Sequence, residues 1–229
     1  MLFKKKITKT KKTLKKEYSI SRLKKLGIDY LESLPCTYEA QLVKMKDCKT
    51  ILKRVIANIL AIEVAFLRVH SSDDSDEAIN YFTNLMKQYG VENDLTEFEK
   101  NIIKGNASKQ DLINLTWQYE SSYVLLWVLG LIDNLPFPSE ACDVDQIVRP
   151  IAECSTFQEV LNKCELRDIE EILDELDIEY RYHWACVEKR CCNANAEIGN
   201  LNSEVVYERR RALEWLFVNE DWNDISLDT

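Results

Sequence analysis

Three ionisable residues fall where apolar side chains are expected. Turning the sequence by about 100° per residue gathers Val205, Val206, Ala212, Leu213, Leu216 and Phe217 on one side of a helix, with Arg209 near the middle. The same construction over residues 109–132 places Glu120 at the centre of a face holding Ile113, Thr116, Val124, Trp127 and Leu131. Over residues 167–190 it sets His183 within a stripe of Ile169, Ile172, Leu173, Leu176, Tyr180, Trp184 and Val187. An isolated buried charge costs several kcal/mol, so each of these groups needs a partner. Mutual pairing is the simplest solution: Glu120 is expected to pair with Arg209, with His183 near the pair or bonded to a backbone carbonyl. Such a cluster is either an ion pair that fixes helix register or a catalytic or ligand-binding pocket, since perturbed buried groups often mark sites.

Beside the His183 stripe runs a polar one of Glu170, Asp174, Asp177 and Arg181. Asp177 and Arg181 are four apart and can pair across one turn. Asp174 and Asp177 form an acidic one-turn pair that could instead hold Mg²⁺, a cation that favours carboxylate oxygens. No second acidic helix pair with matching spacing faces them, so a solvated charged face is the default. His183, Cys186, Cys191 and Cys192 cluster without any recognised zinc spacing. The eight cysteines contain no CxxC and read as buried structural thiols of a reducing compartment.

The positioning elements follow from apolar spacing, which is helical almost throughout. Helices are expected at about 13–26, 39–69, 75–89, 97–104, 109–132, 143–149, 156–164, 167–190 and 203–219. Ser75, Asn202 or Ser203, and the capping-box patterns Thr96/Glu99 and Ser108/Asp111 are the predicted starts. Gly27 and Gly90 are the predicted stops. No segment alternates like a strand. The expected fold is all-α: a helical domain over residues 27–229, preceded by a flexible basic N-terminal arm over residues 1–26.

The chain has 229 residues and a net charge of -9, unevenly spread. Residues 1–25 carry eleven Lys/Arg against one acid, leaving 19 basic and 38 acidic residues in the body. An acidic body argues against nucleic acid as the main partner, because phosphate contact needs a basic surface. Nucleic acid or lipid contact would fall to residues 1–25 alone. No apolar run approaches the ~20 residues of a membrane helix. Residues 1–16 show no apolar core of a secretory signal, which gives the expectation of a cytoplasmic protein.

A series of Trp-containing motifs carries a family resemblance. It runs from Trp117-Gln118-Tyr119-Glu120 and Leu125–Gly130, through Glu171–Asp177 and Tyr180–Ala185, to Val206–Arg210, Trp215-Leu216 and Trp222-Asn223-Asp224. In this order they resemble the bacterial domain of unknown function 4272, over roughly residue 27 to the end. Asn223 stands where that family is expected to carry an Asp. The resemblance implies a bacterial, cytoplasmic, mainly helical domain, and supplies no activity, cofactor or catalytic residue.

Three functions compete, the last in rank being tethering to lipid or nucleic acid through residues 1–25. One is a non-enzymatic interaction protein of inhibitor or immunity type, whose acidic body steers a basic protein partner. The alternative is a metal-assisted hydrolase of nucleotides or phosphoesters, drawing on Glu120, Asp174, Asp177, His183 and Arg209, with Mg²⁺ at Asp174 and Asp177. No cofactor is predicted under the first reading.

Overall fold

Helix α2, Cys48–His70, is buried from Ile51 to Ala65 with the exception of Lys53 and Glu63, and it organises the larger core. The computed structural model describes residues 11–70 and 75–228. Around α2 pack α3 (Ser75–Tyr89), α4 (Glu97–Ile103), α5 (Lys109–Trp117) and α6 (Tyr119–Val128), with a 3₁₀ turn at Glu92–Asp94. Short helices α7 (Val144–Ala152) and α8 (Phe157–Lys163) cover α6 and α2. On the far side of α6 lies α10 (Ser203–Trp215), then α9 (Ile169–Cys191), then α1 (Lys11–Leu26). The described residues are therefore all helix and loop, as the spacing predicts.

A second, smaller core joins Leu23 and Ile28 to Ile178, Tyr182, Ala185, Leu201 and Val206. Through Leu23, the described part of the basic segment is docked on α9. Residues 1–10 of the expected arm, and the Ser75 side chain predicted as a cap, lie outside the described residues.

The capping boxes at Thr96/Glu99 and Ser108/Asp111 are both formed, and Asn202 caps α10. Several boundaries differ from expectation. Helix α2 starts at Cys48 rather than near 39. Asp47 caps it by accepting from Thr50 N at 2.9 Å, while the preceding residues are drawn to the end of α10. There Lys46 N donates to Leu216 O at 2.9 Å, and its Nζ donates to Trp215 O at 2.7 Å and to Val218 O. A lysine on the last carbonyls of a helix also meets the negative end of its dipole.

The expected helix 109–132 is broken at Gln118, whose backbone N–H closes α5 onto Leu115 and Thr116 carbonyls. It also ends early, at Val128. Arg167 satisfies the loose carbonyls there, donating Nε to Trp127 O at 2.7 Å and Nη2 to Ile132 O at 2.9 Å. Gly130 makes that approach possible. Its φ is +70°, and a Cβ would stand 2.4 Å from Glu165 O. Gly130→Ala is expected to cost about 2 kcal/mol through backbone strain and displacement of that carbonyl. Urea unfolding followed by circular dichroism checks this, and an unchanged midpoint contradicts it. The last expected helix closes at Trp215, four residues before the predicted end.

Candidate functional site

The pairing predicted for Glu120 and Arg209 is formed. Arg209 Nε, from α10, donates to Glu120 Oε2, from α6, at 3.1 Å, and both side chains are sealed from solvent. The pair also holds the connection after α6. Cys142 N donates to Glu120 Oε1 at 2.5 Å, and Arg209 Nη1 donates to Pro136 O at 2.7 Å. The Arg209 guanidinium lies 5.7 Å from the centre of the Tyr123 ring. Burial, reinforced by Glu120, pushes the Cys142 thiol far above its usual range, so it stays protonated and is a poor nucleophile.

His183 is not part of this pair. Its Nδ1 faces Arg210 Nη1 at 2.5 Å, and its ring meets Tyr207 edge-on. Burial, with help from Arg210 and Arg190, lowers its pKa to about 4. It is a neutral imidazole accepting from a guanidinium. Arg210 continues to the chain end, donating to Leu227 O at 3.1 Å and Asp228 O at 2.9 Å.

Nor is the stripe on α9 a solvated face throughout. Asp177 and Arg181 do pair, at 2.9 Å, but both are buried. The loop before α2 covers them: Thr37 N donates to Asp177 Oδ1, and Pro35 O accepts from Arg181 Nη2. Asp174 is half exposed and faces Lys15 Nζ at 3.6 Å. Asp177 is thus saturated by Arg181 and Thr37, and the donor set expected for Mg²⁺ does not converge. Among the described residues no group of three or more His, Cys, Asp or Glu is placed to hold a metal, and all eight cysteines are free.

Glu179 is a further inward residue that spacing alone does not single out, three residues from Leu176 and four from His183. It is fully buried and, among the described residues, neither oxygen has a hydrogen-bond partner. Tyr182 Oη and Arg209 Nη2 are likewise unmatched. Burial pushes the Glu179 pKa up to about 8, against the pull of Arg209. The native chain therefore keeps a proton that the unfolded chain releases above about 4.5. Stability must fall as pH rises through this window. His183 acts oppositely: its folded pKa lies below 6.5, so its contribution rises with pH from about 4 and is complete above 6.5. Glu179→Gln is accordingly expected to flatten the decline in stability above pH 6.5, measured by urea unfolding at stepped pH. Superimposable profiles for variant and parent contradict the assignment.

A second buried polar network joins α2, α4, α5, α6, α10 and the C-terminal segment. Arg54 Nη2 donates to both Glu99 oxygens at 2.5 and 2.7 Å, and Asn58 Nδ2 bridges Glu99 and Gln118. Trp222 Nε1 donates to Gln118 Oε1 at 3.1 Å. Arg211 Nη2 donates to Glu208 Oε2 at 2.7 Å and Ser121 Oγ at 3.2 Å. Every carboxylate in it faces a guanidinium or amide.

Above the Glu120–Arg209 pair a groove of about 670 Å³ opens between α6, the 131–143 connection and α7. Tyr123 and Cys142 form part of its lining, and Asp133, Glu140 and Asp143 are exposed around it beside one cation, Arg149. Among the described residues no helix is long and apolar enough to cross a membrane.

No curated protein and no solved structure matches this chain. The model of one family, described as Domain of unknown function (DUF4272), matches residues 15–225, beginning inside α1 and ending past Trp222. With nearly its whole length matched, the chain belongs to that family.

Proposed function

We propose that this protein is a non-enzymatic interaction protein of inhibitor or immunity type, taking a basic segment of a partner protein in the groove between α6 and α7. The observation that carries the reading is the groove's composition: three exposed carboxylates, Asp133, Glu140 and Asp143, against the single Arg149. The candidate catalytic groups point the same way. Glu120 and Asp177 are spent on arginines, His183 on Arg210, and the Cys142 thiol is held protonated. A body carrying 38 acidic against 19 basic residues adds long-range attraction for a basic partner.

Immobilised protein is expected to retain a basic protein from a lysate of its source cells, releasing it as salt is raised. The double variant Asp133→Lys/Glu140→Lys is expected to lose that retention while keeping its circular dichroism spectrum. Retention by the variant equal to the parent's, or retention indifferent to salt, defeats the reading. The hydrolase reading finds no support in the carboxylate geometry. Turnover of a nucleotide or phosphoester with Mg²⁺, abolished by Asp174→Ala, would restore it.

A further inference from the structure

A second cleft, of about 510 Å³, lies between α2, α3 and α7. Its walls are apolar, from Ile56, Ile59, Leu60, Phe82, Leu85 and Ile151. The volume is in the range of small-molecule sites, which typically pair apolar walls with a few placed polar groups. Two of the polar groups that α3 brings to the lining are turned to the protein itself. Tyr89 Oη donates to Ile151 and Cys154 carbonyls, and Gln88 Nε2 donates to Ser155 O.

Glu63 is placed differently. It projects from α2 into this lining, one turn beyond Leu60, and is half buried. Tyr119 Oη donates to its Oε1 at 2.8 Å. Its Oε2 has no hydrogen bond, and no cation pairs with it, among the described residues. Burial raises its pKa, and the Tyr119 hydrogen bond is what opposes that rise. A carboxylate in apolar surroundings gains most from a donor that brings its own positive charge. The fully buried carboxylates Glu99, Glu120, Asp177 and Glu208 obtain that from arginines; Glu179, with no arginine bonded to it among the described residues, holds a proton instead.

We propose that the cleft between α2, α3 and α7 is a binding site for a small organic amine with an aliphatic or aromatic body, the ammonium meeting Oε2 of Glu63 and the body lying against Leu60, Phe82 and Leu85. The site is separate from the acidic groove and does not depend on the interaction reading.

Isothermal titration of the full chain with n-hexylamine, n-hexanol and hexanoate tests this. A charge-assisted contact predicts hexylamine at least about tenfold tighter than hexanol, with hexanoate not binding. Glu63→Gln keeps an acceptor for Tyr119, so the fold is expected to persist while hexylamine weakens to the level of hexanol. Leu85→Trp, which fills the cleft, should abolish both. The variant Asp133→Lys/Glu140→Lys should leave hexylamine binding unchanged, which separates this site from the acidic groove. Absence of hexylamine binding, equal affinity for amine and alcohol, or an undiminished affinity in Glu63→Gln overturns the proposal. Should Glu63→Gln fail to fold, the comparison of the three ligands on the parent chain decides alone.

Discussion

Arg209→Leu is expected to destabilise the fold by about 3–5 kcal/mol, the cost of leaving a buried partner charge uncompensated. The stranded group is Glu120, which is sealed from solvent and has no other cation bonded to it. The loss extends further, because Arg209 also fixes Pro136 O and is the main positive influence on Glu179. Urea unfolding by circular dichroism reads this directly. A midpoint within experimental error of the parent would mean that Glu120 is solvated or that the helices have moved apart.

Trp222→Ala is the second large effect, expected at about 3–5 kcal/mol, as for other buried aromatic truncations. Two guanidinium groups sit over the Trp222 indole, Arg211 at 4.5 Å and Arg54 at 5.5 Å from the ring centre. It stands edge-on to Trp215 and donates to Gln118. Its carbonyl accepts from Arg211 Nη1. Removing the ring opens a cavity and takes away the π-system over which both guanidinium groups sit. The loss is expected to fall on residues 216–228 first, so amide exchange there should accelerate more than in α2. Trp222→Phe keeps a ring face and gives up the hydrogen bond, and should cost markedly less. Equal losses for the two variants would assign the effect to Nε1 alone.

These effects separate what the sequence discloses from what it conceals. Local signals were legible: the two capping boxes and Asn202 depend on residues three apart, and they set the starts of α4, α5 and α10. Legible too was the Glu120–Arg209 pair, because a charge at the centre of an apolar face has few solutions. Concealed were features set by distant chain. Asp177 and Arg181 look solvent-facing on α9 alone, but Thr37 and Pro35 close over them. The 39–47 stretch has helical spacing, but Lys46 is drawn to the end of α10. The break at Gln118 answers a hydrogen-bond network with Asn58 and Trp222 that no spacing rule contains. On α10 the wheel marks Arg209 as the inward charge, whereas Glu208, Arg210 and Arg211 are buried as well. A helix enclosed on several sides has no outer face, so facing arguments find one charge and miss its neighbours. The same enclosure explains why His183 meets Arg210 rather than the predicted pair.

The central claim is that Glu120, Arg209, Asp177, Arg181 and His183 are architecture, paired to hold helices in register, and that the basic partner binds at the surface groove instead. A thermodynamic cycle of Glu120→Gln, Arg209→Met and the double variant tests it most directly, with stability and basic-partner retention measured on each. The expected result is a coupling of about 2 kcal/mol or more between the two positions, with the folded double variant retaining the partner as the parent does. Additive single effects, or loss of partner retention in a folded double variant, would contradict it.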